Sequence, residues 1–139
     1  MVLLLPFSPV PCPRPKITMR NGFATAYYPS KYKDFKKNVS KYIRTNFTYI
    51  KYDVPVKITY TFILPRPKYL QRKKDSSNRI EHAKKPDLDN LIKSINDILE
   101  DSEVLSNDSI VYSIDAIKYI AAKGEDPSIL ITIEEKSNE

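Results

Sequence analysis

Asp87 and Asp89 stand one residue apart, and Lys93 follows four positions after the second of them, in the segment Lys84-Lys85-Pro86-Asp87-Leu88-Asp89-Asn90-Leu91-Ile92-Lys93. Two carboxylates so spaced supply hard oxygen ligands for a divalent cation, and a lysine one helical turn on supplies a charge for a phosphate or a proton for a leaving oxygen. A third carboxylate, Asp108, closes the acid-rich stretch Glu100-Asp101-Ser102-Glu103-Val104-Leu105-Ser106-Asn107-Asp108. Three unneutralised carboxylates repel one another, so their convergence in a basic protein points to a cation site. The competing explanation is helical: Asp87 caps a helix, Asp89 answers the positive end of its dipole, and Asp89 pairs with Lys93 at i,i+4.

The element that must position these residues is a helix. Pro86 biases Lys85 away from helical dihedrals, so the helix is predicted from Asp87 to about Leu99. Leu88, Leu91, Ile92, Ile95, Ile98 and Leu99 have the i, i+3, i+4, i+7 spacing of a buried stripe. Asp89, Lys93 and Asn96 fall on one polar flank beside it, with Asp97 a turn beyond Lys93. Packed by that stripe, the helix is expected to return Asp108 to Asp87 and Asp89.

Before it, residues 2 to 8 read as a strand, and Pro9-Val10-Pro11-Cys12-Pro13-Arg14-Pro15 must be extended. Lys16 to Met19 and Phe23 to Tyr28 flank the turn signal Asn21-Gly22, which predicts a short hairpin or a basic loop. Ser30 is the expected N-cap of a helix from Lys31 to about Asn46, with Tyr32, Phe35, Val39, Tyr42, Ile43 and Phe47 inward. Val54 to Leu64 alternates as a strand, closed by Pro65 and Pro67. From Arg66 to Lys85 eight basic residues face two acidic ones, a basic loop at about 65–85 in which Tyr69 is placed to stack on an unpaired base. After the central helix, Ile110, Tyr112, Ile114 and Ala116 alternate, and the phase then shifts to Ile117 and Tyr119, predicting a bulge or strong twist there. Lys123 to Pro127 is a turn, Ser128 to Glu134 the last strand, and the tail from Glu135 is expected to fray. The fold class is α/β in the loose sense (α+β): a mixed sheet with two main helices packed on it, one domain over residues 1–139.

The charge is divided along the chain. Residues 1–85 carry 19 Lys and Arg against 4 Asp and Glu, and residues 86–139 carry 4 against 13, so a net of +6 conceals +15 followed by −9. A basic part that holds phosphates around an acidic centre that holds metal fits that asymmetry. Arg14, Lys16 and Lys31, then Arg66, Lys68, Arg72, Lys73 and Lys74, and finally Lys84 and Lys85 are the candidate contacts to backbone phosphates. One cysteine, Cys12, excludes an intrachain disulfide and a cysteine-based zinc site, and the single His82 argues against a His-rich metal site. Pro6 interrupts the apolar start and no basic region precedes it, so no signal peptide is read, no run approaches transmembrane length, and a cytoplasmic location is expected.

Lys85-Pro86-Asp87-Leu88-Asp89-Asn90-Leu91-Ile92-Lys93, then Asn96-Asp97-Ile98-Leu99, then Asn107-Asp108 and a long strand resemble the RusA family of Holliday junction resolvases. Pro13-Arg14-Pro15, Tyr28-Pro29-Ser30-Lys31 and the closing strands extend the likeness over most of the chain. The resemblance implies a homodimer that cuts four-way DNA junctions symmetrically with Mg²⁺, for which Mn²⁺ substitutes. It places the catalytic carboxylates and metal ligands on Asp87, Asp89 and Asp108 and the catalytic lysine on Lys93, with Asp97 matching a recurrent acid. The chain departs from the pattern at Asn107, where an acid often precedes the last aspartate. Lys93 has three open roles: to orient the attacking water, to neutralise the transition state, or to protonate the leaving oxygen.

Two other classes fit part of the sequence. A non-catalytic nucleic-acid-binding module needs only the basic half. A metal-dependent sugar-nucleotide transferase shares the Asp-x-Asp but lacks an evident nucleotide-binding unit.

Overall fold

The computed structural model describes residues 1–136. A five-stranded mixed sheet carries two helices on one face, the α+β arrangement expected. Its strands are β1 (Val2–Leu5), β4 (Val56–Leu64), β5 (Ile80–Glu81), β6 (Val111–Ile120) and β7 (Ser128–Glu135), in the order β1-β7-β4-β6-β5. A separate ribbon pairs β2 (Lys16–Arg20) with β3 (Phe23–Tyr27). The helices are α1 (Ser30–Asn46) and α2 (Leu88–Asp101).

β4 is central because its alternation is the cleanest: Val56, Ile58, Tyr60 and Phe62 are buried toward the helices, while Lys57, Thr59 and Thr61 turn to the other face. Phe35, Val39 and Ile43 from α1 and Leu91, Ile95, Ile98 and Leu99 from α2 close over it, with Ile129, Ile131 and Ile133 from β7. β4 runs antiparallel to β7 but parallel to β6. Parallel neighbours need a crossover, and the basic loop with α2 is that crossover. α2 therefore starts at the Leu64 end of β4 and travels about 21 Å, at 1.5 Å per residue, back to the Val56 end.

Several boundaries move for local reasons. β1 stops at Leu5 because Pro6 has no N–H to continue the ladder. α1 starts one residue early, since the Pro29 carbonyl accepts from Tyr32 and Lys33 N–H (3.1 and 3.3 Å), and Ser30 makes no cap bond. The bulge in β6 lies at Tyr112, unpaired between Val111 opposite Val56 and Ser113 opposite Lys57, and not at Ala116–Ile117. From Ile114 onward the register is regular. Lys136 N–H donates to the Pro55 carbonyl (3.0 Å), so the chain is paired through that residue, and the remainder of the expected frayed tail lies outside the described residues.

The basic loop is fastened, not free. Arg66 donates to the carbonyls of Leu70, Ser76, Asn78 and Ala121 (2.8, 2.6, 3.1 and 3.2 Å). Lys123 Nζ holds the carbonyls of Arg72 and Asp75, and Lys118 Nζ those of Lys84 and Pro86. Among the described residues no helix is long and apolar enough to cross a membrane.

Candidate active site

A cleft of about 940 Å³ opens at the Leu64-Pro65 end of β4, between the proline-rich segment and the first turn of α2. The proline-rich segment is held by Cys12 N–H, which donates to the Asn90 carbonyl (2.9 Å) and so ties one wall of the cleft to the helix that forms the other. Lys118 grips Pro86 and Lys84 just ahead of that helix, each at 2.6 Å. His82 Nε2 lies 2.7 Å from the Lys85 carbonyl, so Nε2 carries the proton that completes this bond.

Asp87 and Asp89 line the cleft together with Arg14, Lys31, Lys85 and Lys93. Four cations around two carboxylates leave the rim net positive, suited to a polyanion approaching an acidic centre. The helical explanation accounts for little of this. Asp87 holds the N-cap position of α2 without making a cap hydrogen bond. Asp89 Oδ1 accepts from its neighbour Asn90 N–H (3.0 Å), while Lys93 turns to Asp97 (3.7 Å). Among the described residues neither Asp87 nor Asp89 has a salt-bridge partner.

Asp97 is anchored from the far side by the Tyr32 hydroxyl (3.3 Å). Burial, then the neighbouring Cys12 and Asp97, push the Tyr32 phenol far above its ordinary range, so it stays a neutral donor across the working pH range. Tyr28 also lines the cleft, its ring 5.3 Å from that of Tyr32.

Asp108 does not join the pair. It opens the short 3₁₀ turn before β6, at the Val56 end of the sheet, with the length of α2 between it and Asp87. Among the described residues no group of three or more His, Cys, Asp or Glu is close enough to hold a metal ion. The expected return of Asp108 overlooked that a parallel β4–β6 pair puts the start of β6 beside the start of β4, away from the cleft. Two carboxylates remain a sufficient donor set for Mg²⁺, which keeps most of its waters and takes one or two protein carboxylates plus phosphate oxygens.

The basic candidates divide. Arg14, Lys31 and Lys85 are at the cleft, and Lys16 and Lys84 are exposed beside it in sequence. Lys68, Lys73 and Lys74 are exposed on the loop. Arg66 is spent on carbonyls, and Arg72 is held by Asp75 through its main-chain and side-chain N–H groups (2.9 to 3.2 Å), which lowers the Asp75 carboxyl below its usual range. The sequence marks Lys118, within β6, and Lys123, in the turn after it, only as isolated cations in an acidic half.

No individual curated protein matches the chain. A family does: the sequence matches the family described as Endodeoxyribonuclease RusA over residues 6–134 of 139, a span that contains the cleft, both helices and the sheet except for β1 and the last residue of β7. With the match covering the carboxylates, the lysine and the elements that hold them, this chain belongs to the RusA family of endodeoxyribonucleases.

Proposed function

We propose that this protein is a Mg²⁺-dependent endonuclease that resolves four-way DNA junctions by paired, symmetric phosphodiester hydrolysis, and that it acts as a homodimer. The observation that carries the reading is the pair Asp87 and Asp89, without a salt-bridge partner among the described residues, in a cleft that four cations also line. Asp87 and Asp89 are the residues that would hold the metal, with Mn²⁺ an adequate substitute for Mg²⁺. A cation held there would lower the pKa of the attacking water and offset charge developing on the scissile phosphate. Lys31, Lys85 and Arg14 hold the flanking phosphates, which positions the strand across the carboxylates. Lys93, paired with Asp97, lines the same cleft, where it orients the attacking water, neutralises the transition state or protonates the leaving oxygen.

The dimer follows from the task. One cleft cuts one strand, and a four-way junction is resolved productively only by two cuts at symmetric positions, which two copies about a two-fold axis supply.

The deciding experiment is a nicking assay on a four-way junction with Mg²⁺, with Mn²⁺ and with EDTA, run beside light scattering. Paired nicks with either metal, none in EDTA, and a mass near twice 16.1 kDa are expected. A non-catalytic binding module would bind the junction and leave it whole under every condition.

Salt dependence separates the loop cations by their geometry. Lys73→Ala with Lys74→Ala should reduce the log-log slope of junction affinity against salt by about 1 to 2, close to 0.9 per lost phosphate contact. Arg72→Ala should change it less, because Arg72 is already paired with Asp75. Anisotropy titrations between about 50 and 200 mM salt measure both, and an unchanged slope in the double variant would assign the loop to solvent.

A further inference from the structure

The β2–β3 ribbon plays no part in the core: every one of its residues is exposed. It leaves the lip of the cleft, since Pro13, Arg14 and Pro15 on one side and Tyr28 on the other line the cleft and flank the ribbon in sequence. Five residues at about 3.3 Å each carry its tip some 16 Å beyond that lip. The tip is a two-residue turn, Asn21-Gly22, with both residues at positive φ (53° and 79°), the geometry that keeps a two-stranded ribbon twisted and closed.

Register sorts the side chains. Partners across an antiparallel pair share a face, so Lys16 with Tyr27, Thr18 with Thr25, and Arg20 with Phe23 form one face, and Ile17 with Ala26 and Met19 with Ala24 form the other. The first face carries two cations, two aromatic rings and no carboxylate. At its outer end Phe23 is 75% exposed directly across from Arg20.

Resting on the nuclease reading above, we infer that this ribbon is a branch-recognition arm: Phe23 stacks on a base or base pair exposed at the junction's branch point, and Arg20 and Lys16 hold the adjoining phosphates. An apolar wedge needs an unstacked step, which a duplex offers only at the cost of breaking stacking and a junction offers freely. The arm would therefore add affinity for branched DNA and little for duplex. Its cations complement the polyanion, and its attachment at the cleft lip fixes the distance between the recognised branch and the cut phosphate.

The test uses the full-length protein in EDTA, so that no strand is cut, with 2-aminopurine placed at the branch point of a four-way junction and an unbranched duplex as reference. Phe23→Ala should lose the fluorescence change at the branch and weaken junction binding about tenfold, leaving duplex binding within twofold, whereas Phe23→Trp should keep both. Phe23 has no packing role, so the melting temperature of each variant should match the parent. An equal loss of junction and duplex affinity, or no loss of either, would overturn the arm. So would a fall in mass by light scattering for Phe23→Ala, which would make the ribbon a contact between copies. If the unaltered protein neither prefers the junction in EDTA nor cuts it in Mg²⁺, the nuclease reading itself fails, a result distinct from a cutting enzyme indifferent to Phe23.

Discussion

Asp89→Asn is expected to abolish junction cleavage, by about 10³-fold or more, while the protein keeps its fold and its hold on DNA. The size follows from the proposed role: losing a cation that would activate water and offset charge on the phosphorane would remove several kcal/mol of transition-state stabilisation, and each 1.4 kcal/mol is a factor of about ten. Preservation of the fold follows from the geometry. Asp89 is exposed, and among the described residues its side chain accepts only the N–H of the next residue, which an asparagine oxygen accepts equally well. DNA binding should persist or tighten, since a negative charge among four cations is removed. Asp87→Asn should behave alike, as its side chain makes no cap bond to α2. Single-turnover cleavage beside anisotropy measures the two effects separately. Cleavage by Asp89→Asn at the parental rate in Mg²⁺ would dismiss the metal site.

Arg66→Ala should have the largest effect on the shape of the molecule outside the core. Its guanidinium serves four carbonyls, three spread over the loop and one on the buried Ala121 just past β6. Hydrogen bonds from a charged donor are each worth more than neutral ones, but part of this set is solvent-exposed, so a combined loss of about 2–4 kcal/mol against loop opening is expected. Arg66→Lys should not restore the structure, because one ammonium cannot present the fork that reaches four acceptors. Hydrogen exchange should accelerate through residues 68–82 while β4 and β7 keep their protection. Uniform protection in Arg66→Ala would mean that Lys118 and Lys123 alone hold the loop.

Elements with a strong period were legible in the sequence. The stripe Leu91, Ile95, Ile98 and Leu99 and the alternation Val56, Ile58, Tyr60 and Phe62 announced α2 and β4, and both bury those residues. Asn21-Gly22 marked the turn but left a hairpin and a basic loop open, and the pairing of β2 with β3 decides for the hairpin. The family was readable too, because Asp87, Asp89 and Lys93 sit within seven consecutive positions and need no tertiary knowledge to be grouped. What was illegible depends on strand direction. Nothing in the spacing of Val111 to Ile120 says that β6 lies parallel to β4, and that one fact sends Asp108 to the opposite end of the sheet. The duties of Arg66, Lys118 and Lys123 were hidden for a related reason: their acceptors are backbone carbonyls, which every residue possesses and no sequence pattern marks.

That same property bears on how the basic loop can change. Arg66, Lys118 and Lys123 reach Leu70, Arg72, Asp75, Ser76, Asn78, Lys84 and Pro86 through main-chain oxygens only. The identities of the side chains at these seven positions do not enter those bonds, so the path of the loop is decoupled from most of its composition. Substitutions that exchange one surface chemistry for another can accumulate there without unmooring the segment, and a new substrate preference can be written onto a loop whose course is already drawn.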